Sequence, residues 1–346
     1  MTLPPDAAAA TPPRGRGRLR PRWLLTGAGL VLLAILFARL GPDRIVDLIE
    51  TMGANIFVVV ALFAAHEAVR ALAVQRCLPV EAQPPLWRLF RVRLLGEAAG
   101  TLTNTGSWLS EPARAWLLGR QGPRAEEAYA AAIGELLLNS CVSAVVTVAV
   151  LAWSASGVLH GGSLGAYARV LKWGSIGYIV LVGVALFGRV PVLSTAWRGL
   201  AALPGLGRRL RARTRVEDVR SLERRLHEVV ARRGALLAVL VLELAAQGLI
   251  VSEVYWSILS MGVPVSFGTA LRIEALTKLT NLVQVVGAAE GGYALVFTWL
   301  GVPAVTGFTL SIVRRVRSLV AAAAGLGLMT LSGRSSTAVC RAPSSP

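Results

Sequence analysis

Six apolar stretches, at 23–40, 56–78, 127–153, 173–190, 234–260 and 304–331, set the terms on which this chain can fold. Each approaches the roughly 20 residues that carry an α-helix across a hydrocarbon core. They predict an all-α, polytopic membrane helical bundle, because backbone amides in hydrocarbon must find their partners within the protein. Composition agrees: 54% of the 346 residues are hydrophobic and 16% charged. That is too little polar surface for a chain of this length to cover itself in water.

Two further stretches, 94–118 and 270–300, are apolar but interrupted by Gly, Thr, Asn and charge, at Gly96-Glu97, Gly100 to Ser107, Thr277 to Asn281 and Gly287 to Gly292. Broken backbone at membrane depth has to be buried in protein or line a watery cavity. Both are therefore expected to be re-entrant, broken-helix hairpins.

The net charge of +17 does not point to nucleic acid, because the charges fall in the connections between spans. Lys and Arg number five in residues 1–22, five around the first hairpin (Arg88, Arg91, Arg93, Arg120 and Arg124), twelve in 189–233 and two in the C-terminal tail. The opposite connections hold Arg44, Arg169 and Lys172. The positive-inside rule then predicts a multi-pass protein with both termini cytoplasmic, the first hairpin entering from the cytoplasm and the second from outside. The expected organisation is a disordered basic cytoplasmic tail at 1–22, a transmembrane domain at 23–331 and a disordered tail at 332–346. A basic cytoplasmic linker, 191–233, separates halves at about 56–190 and 234–331. Within it Val219, Leu222, Leu226, Val229 and Val230 form one helical stripe, which suits either a solvated connecting helix or one lying on anionic headgroups.

An internal repeat is also legible. Arg93 precedes Glu111 by 18 residues, Arg272 precedes Glu290 by the same 18, and the two pairs are 179 residues apart. The same shift relates Thr101 to Thr280, the helix near 56 to that near 234, and Glu135 to Arg314. Since the first of those helices would run inward and the second outward, the halves are expected to form an inverted-topology repeat.

Ionisable residues at membrane depth are expensive and face a partner or a wet cavity. Glu67, Arg70, Glu243, Glu253, Glu274, Arg315 and Arg317 are among them. For Glu67 and Arg70 a pair within one helix suffices, and Arg315 and Arg317 could reach an interface by snorkelling. The candidate cavity residues are Glu97, Glu111, Arg114, Glu135, Lys278, Glu290 and Arg314. Of these, Glu111, Arg114 and Glu290 fall in the broken segments, where regular helix packing does not demand a charge. Arg and Lys facing a cavity suit an anionic lipid headgroup. The three cysteines, Cys77, Cys141 and Cys340, make no CxxC pair, and His66, His160 and His227 are scattered. No metal site, cofactor or catalytic group is expected.

The residues Gly96-Glu97-Ala98-Ala99-Gly100-Thr101-Leu102-Thr103-Asn104-Thr105-Gly106, followed by Glu111-Pro112-Ala113-Arg114, resemble the first signature of the lysylphosphatidylglycerol synthase transmembrane (flippase-like) family. Val286-Gly287-Ala288-Ala289-Glu290-Gly291-Gly292, then Leu300-Gly301, resembles the second, and Arg314 falls where the family often carries arginine. Asn104 stands in place of the family proline, Leu109 and Ser110 in place of its glycines, and no proline precedes Gly287. The resemblance covers about 56–331. It implies movement of polar lipids between leaflets of a bacterial inner membrane, with relatives tied to hopanoid and isoprenoid-lipid pathways. In two-part members an aminoacyl transferase follows the membrane domain, and none is expected here.

The expected function is a lipid flippase moving an anionic or isoprenoid-linked lipid through a charged cavity, with membrane lipids as its partners. The alternatives are a membrane-embedded lipid-modifying enzyme of the polyprenyl-phosphate glycosyltransferase kind and an accessory subunit working beside lipid-biosynthesis enzymes. The enzyme would use Asp43, Asp47 and Glu50 to hold a metal-phosphate, although their spacing equally gives the polar face of an interfacial helix.

Overall fold

The computed structural model describes residues 42–102, 107–154, 162–188, 191–202, 216–278, 280 and 288–336. The tail 1–22, the first expected span 23–40 and the hairpin tips 103–106 and 281–287 lie outside the described residues. Among the described residues there are twelve α-helices and no strand. The first half contains α1 (Pro42–Met52), α2 (Asn55–Cys77), α3 (Leu86–Leu102), α4 (Ser107–Gly119), α5 (Ala125–Trp153) and α6 (Gly162–Phe187). The connection holds α7 (Val192–Ala202) and α8 (Val216–Ala231). The second half follows as α9 (Arg233–Ser260), α10 (Phe267–Leu276), α11 (Ala288–Trp299) and α12 (Ala304–Ser336).

Four of these helices, α2, α5, α6 and α9, are long and apolar enough to cross a membrane. Their outward faces show why hydrocarbon is the solvent: Val170, Trp173, Val180, Leu181, Val184 and Phe187 on α6 are all exposed. In water such a patch would seek a partner, whereas in lipid it needs none. Helix α6 begins well before the expected 173, so Arg169 and Lys172 ride on the helix rather than in a connection. Helix α12 continues to Ser336, past the expected end at 331.

The two halves meet along one helix pair. Helices α2 and α9, equivalent under the 179-residue shift, pack along each other. His66 meets Ala246, Arg70 approaches Glu243 and Cys77 meets Arg232. Numbering that rises on one helix while it falls on the other makes the pair antiparallel, the relation an inverted repeat requires. Around this axis the halves exchange elements: α3 lies along α12, and α10 lies against α5. Each short-helix pair folds back on itself. A Cβ on Gly96 in α3 would collide with the Arg114 side chain in α4, and one on Gly292 in α11 would collide with Thr280.

Two apolar cores occupy opposite ends of the α2–α9 pair. One joins Val74 and Cys77 of α2, and Leu78 just after it, to Leu138 of α5 and Val239 of α9. The other joins Val59 of α2 to Val251, Val254 and Ile258 of α9, with Phe297 and Leu310. Between them, at mid-helix, lies a belt of charge. Helix α8 of the expected linker docks on the bundle, since Leu226, Val229 and Val230 are buried and Leu226 and Val229 lie over Gly134 of α5. Arg232 then caps α2, donating to the carbonyls of Leu78 (3.1 Å) and Cys77 (2.6 Å), where the helix dipole is negative.

Gly307 brings α12 onto α11. Its Cβ would stand 2.8 Å from the Tyr293 carbonyl oxygen and 2.7 Å from Phe297 Cγ, and backbone cannot move aside. Gly307→Ala should therefore cost about 1–3 kcal/mol despite alanine's better helix propensity. Gly177→Ala on α6, with open space around its Cβ, should cost nothing. Melting of the purified protein in detergent reads both.

Candidate functional site

The charged belt divides into two clusters. In the first half Glu135 of α5 is the node. Arg70 of α2 reaches it at 2.6 Å and Arg93 of α3 at 3.2 Å. Arg93 also holds Glu67 of α2 at 2.8 Å, and Arg70 lies 3.8 Å from Glu243 of α9. Four helices are thereby tied at one level. Glu67 and Arg70 each pair with another helix instead of with each other, which replaces the expected intrahelical pair. At mid-membrane an interhelical partner satisfies a charge and positions a helix at once.

In the second half the node has the opposite sign. Arg314 of α12, the repeat equivalent of Glu135, donates to Glu274 of α10 at 2.8 Å and to the Tyr293 hydroxyl at 2.5 Å, and approaches Glu253 of α9 at 3.7 Å. Lys278 bonds the other oxygen of Glu274 at 2.9 Å. Arg317 pairs with Glu253 and lies over the Phe63 ring. Arg315 holds Glu290 of α11 at 2.5 Å. Arg315 and Arg317 are thus turned into the bundle, not snorkelling outwards, because buried glutamates draw them.

A third group joins the halves. Arg114 of α4 holds Glu111 at 2.5 Å and Glu97 of α3 at 3.2 Å, and Glu97 accepts from Ser318 of α12 at 3.2 Å. Glu111 and Arg114 lie within helix α4, and Glu290 lies in the first turn of α11, where the dipole favours an acid. These helices are arms of the interrupted stretches 94–118 and 270–300, whose breaks at 103–106 and 281–287 lie outside the described residues.

The belt encloses a cavity of about 650 Å³. Six of the seven residues singled out in the sequence line it: Glu97, Glu111, Arg114, Lys278, Glu290 and Arg314. Glu135 lies behind this wall, 1% exposed, beside a small void that Glu111 and Arg114 also touch. The lining further includes Arg315 and Arg317, and polar groups that carried no sequence signal, such as Asn139, Gln247 and Ser311. The lining is electrically lopsided. From α2 to α4 come Glu67, Glu97 and Glu111 with Arg70 and Arg114, whereas α10 to α12 supply Glu274 and Glu290 with Lys278, Arg314, Arg315 and Arg317. Cations therefore dominate the second-half wall, as binding of a phosphate requires. Asp43, Asp47 and Glu50 form the exposed face of α1, outside this lining.

The description of the lysylphosphatidylglycerol synthase transmembrane region matches residues 23–325. The chain belongs to that family, and it is a multi-pass membrane protein related to lipid metabolism or transport. No curated protein and no solved structure matches it.

Removing one partner of a buried pair costs about 3–5 kcal/mol, because the other charge stays buried alone. Arg93→Leu, which strands the buried Glu67 and takes one of two cations from Glu135, should fall in that range. Glu97→Gln, at a side chain 27% exposed to the cavity, should cost less than about 1 kcal/mol. Thermal or denaturant unfolding in detergent separates the two.

Proposed function

We propose that this member of the family moves a polar lipid between leaflets, its headgroup passing through the charged cavity while the acyl chains stay in hydrocarbon. The single observation that supports this reading is a cavity of about 650 Å³ midway along the spanning helices with a cation-rich wall. Headgroup-sized ligands occupy pockets of roughly 300–1,000 Å³. Such a concentration of charge at membrane depth marks a polar pathway more often than a scaffold.

In this reading the α3–α4 and α10–α11 pairs are re-entrant hairpins that enter from opposite faces and meet at the cavity, as in other inverted-repeat carriers. The lipid is anionic or isoprenoid-linked, and its phosphate settles against Lys278, Arg314 and Arg315. The membrane is a bacterial inner membrane, with both termini in the cytoplasm.

Lys278 and Arg315 are the most exposed cations of the lining, with side chains 29% and 42% exposed. A charge-assisted hydrogen bond contributes about 1.5–3 kcal/mol, so Lys278→Ala and Arg315→Ala should each slow translocation about 10-fold or more. Tail-labelled phosphatidylglycerol in reconstituted vesicles, quenched from outside, gives the rate. Lys278→Ala should melt like the parent, because Glu274 keeps Arg314, whereas Arg315→Ala takes the cation from the buried Glu290 and should melt lower. Glu111→Gln, which keeps the shape but not the charge, should likewise stop translocation without unfolding. Unchanged rates in all three would remove the cavity from the transport path.

A further inference from the structure

Count the charges that touch one another around α9. Among the described residues, the guanidiniums that Glu67, Glu135 and Glu243 touch are Arg70 and Arg93, and the His66 ring lies 3.8 Å from Glu67. The next cation, Arg114, is engaged by Glu97 and Glu111. Three buried carboxylates on two guanidiniums leave one negative charge uncompensated, in a place where an isolated charge is prohibitively expensive.

Glu243 is where the surplus falls. It is 0% exposed. Turning the Asn139 amide end for end lets its nitrogen donate to Oε2 (2.9 Å) and its oxygen accept from Arg70 (3.2 Å), which satisfies both. Its other oxygen, Oε1, is buried and has no hydrogen-bond donor among the described residues. The Glu135 carboxyl is its neighbour across Arg70, which lies 2.6 Å from Glu135 and 3.8 Å from Glu243. Two carboxylates cannot bond each other, but a carboxylic acid and a carboxylate can, and like-charge pairs of this kind share a proton.

Other groups around Glu243 do not remove the need. From α2 come Arg70 and, further along, Glu67, His66 and the buried Cys77; from α5 come Glu135 and Asn139; from α3 comes Arg93, through Glu135. Just beyond α10, Lys278 stops at Gln247, one turn along α9, and α12 spends Arg317 on Glu253. His66 bonds the Ala246 carbonyl through Nδ1 at 3.0 Å and turns Nε2 to Glu67 at 3.8 Å, so neither ring nitrogen serves Glu243.

We infer that Glu243 and Glu135 form a proton-binding site whose occupancy is linked, through Arg70, to an anionic headgroup in the cavity. Arg70 is the link because it touches both carboxyls and also lines the cavity. A phosphate that draws Arg70 towards the cavity strips the pair of its counter-charge, and the pair then holds its proton more tightly. By reciprocity, a protonated pair releases Arg70 to the phosphate. The O–H bond forms at Glu243 with a proton taken from water on one side of the membrane, and it breaks to return that proton to water on the other. This linkage rests on the headgroup reading of the cavity, whereas the proton site itself does not.

The test separates the two. The purified full-length protein in lipid nanodiscs at neutral pH should show the infrared carbonyl stretch of a protonated carboxylic acid, identified by its shift in D2O. That band should vanish in E243Q, with E135Q as a second variant should E243Q fold poorly. A parent protein without the band, or a band retained in both variants, overturns the site. Proton gradients imposed on vesicles containing labelled phosphatidylglycerol then test the linkage. The ratio of translocation rates with and without the gradient should fall from several-fold in the parent to unity in E243Q. An equal ratio in parent and variant overturns the linkage, and absent translocation in the parent overturns the headgroup reading while the infrared result stands.

Discussion

Moving a guanidinium or a carboxylate out of water costs several kcal/mol even after relaxation, and mutual attraction repays this only with good geometry. Everything central to this protein follows from that constraint. Its charged residues sit halfway along helices whose outer faces belong in hydrocarbon, so each must find its partner inside. The partners come from different helices, and satisfying the charges therefore fixes the arrangement of the helices. Glu135 gathers two arginines, and Arg314, its repeat equivalent, gathers two glutamates and a tyrosine. The two halves thus carry nodes of inverted sign at matching places.

This belt also explains the division of the apolar core. Where charges gather, close hydrophobic packing cannot continue, so the core splits into one cluster towards each end of the α2–α9 pair. The packed ends supply rigidity, and the polar middle supplies space. A cavity at this level is accessible to a ligand only if its walls are already solvated by fixed charges. The electrostatics that hold the bundle and those that would receive a headgroup are the same groups.

Much of this was legible in the sequence, for identifiable reasons. Helices such as α2, α5 and α9 declare themselves by length and apolarity, and the 179-residue shift places equivalent charges without any knowledge of distance. Six of the seven cavity candidates share one lining because a charge in an apolar stretch has few alternatives. Pairing was not legible. Glu67 and Arg70 are three residues apart on one helix, yet Arg93 and Glu135 claim them from others, and local spacing carries no record of such competition. Asn139, Gln247 and Ser311 were invisible because a neutral polar residue in a membrane helix is unremarkable until its neighbours are known. The docking of α8 on α5 was hidden for a related reason, since an amphipathic stripe specifies an apolar partner but not whether that partner is lipid or protein.

The contact between Gly96 and Arg114 carries a historical consequence. The arginine stem lies where any side chain at position 96 would have to be. The two positions are therefore one hereditary unit, and their effects cannot be additive. A lineage that enlarges residue 96 first passes through a crowded and disfavoured intermediate, whereas one that shortens residue 114 first opens the space and frees position 96 to vary. Shortening Arg114, however, strands Glu97 and Glu111, so that route is blocked unless the carboxylates are exchanged as well. Four residues from two helices can then drift only together, and the order of their changes is dictated by volume and charge rather than by chance.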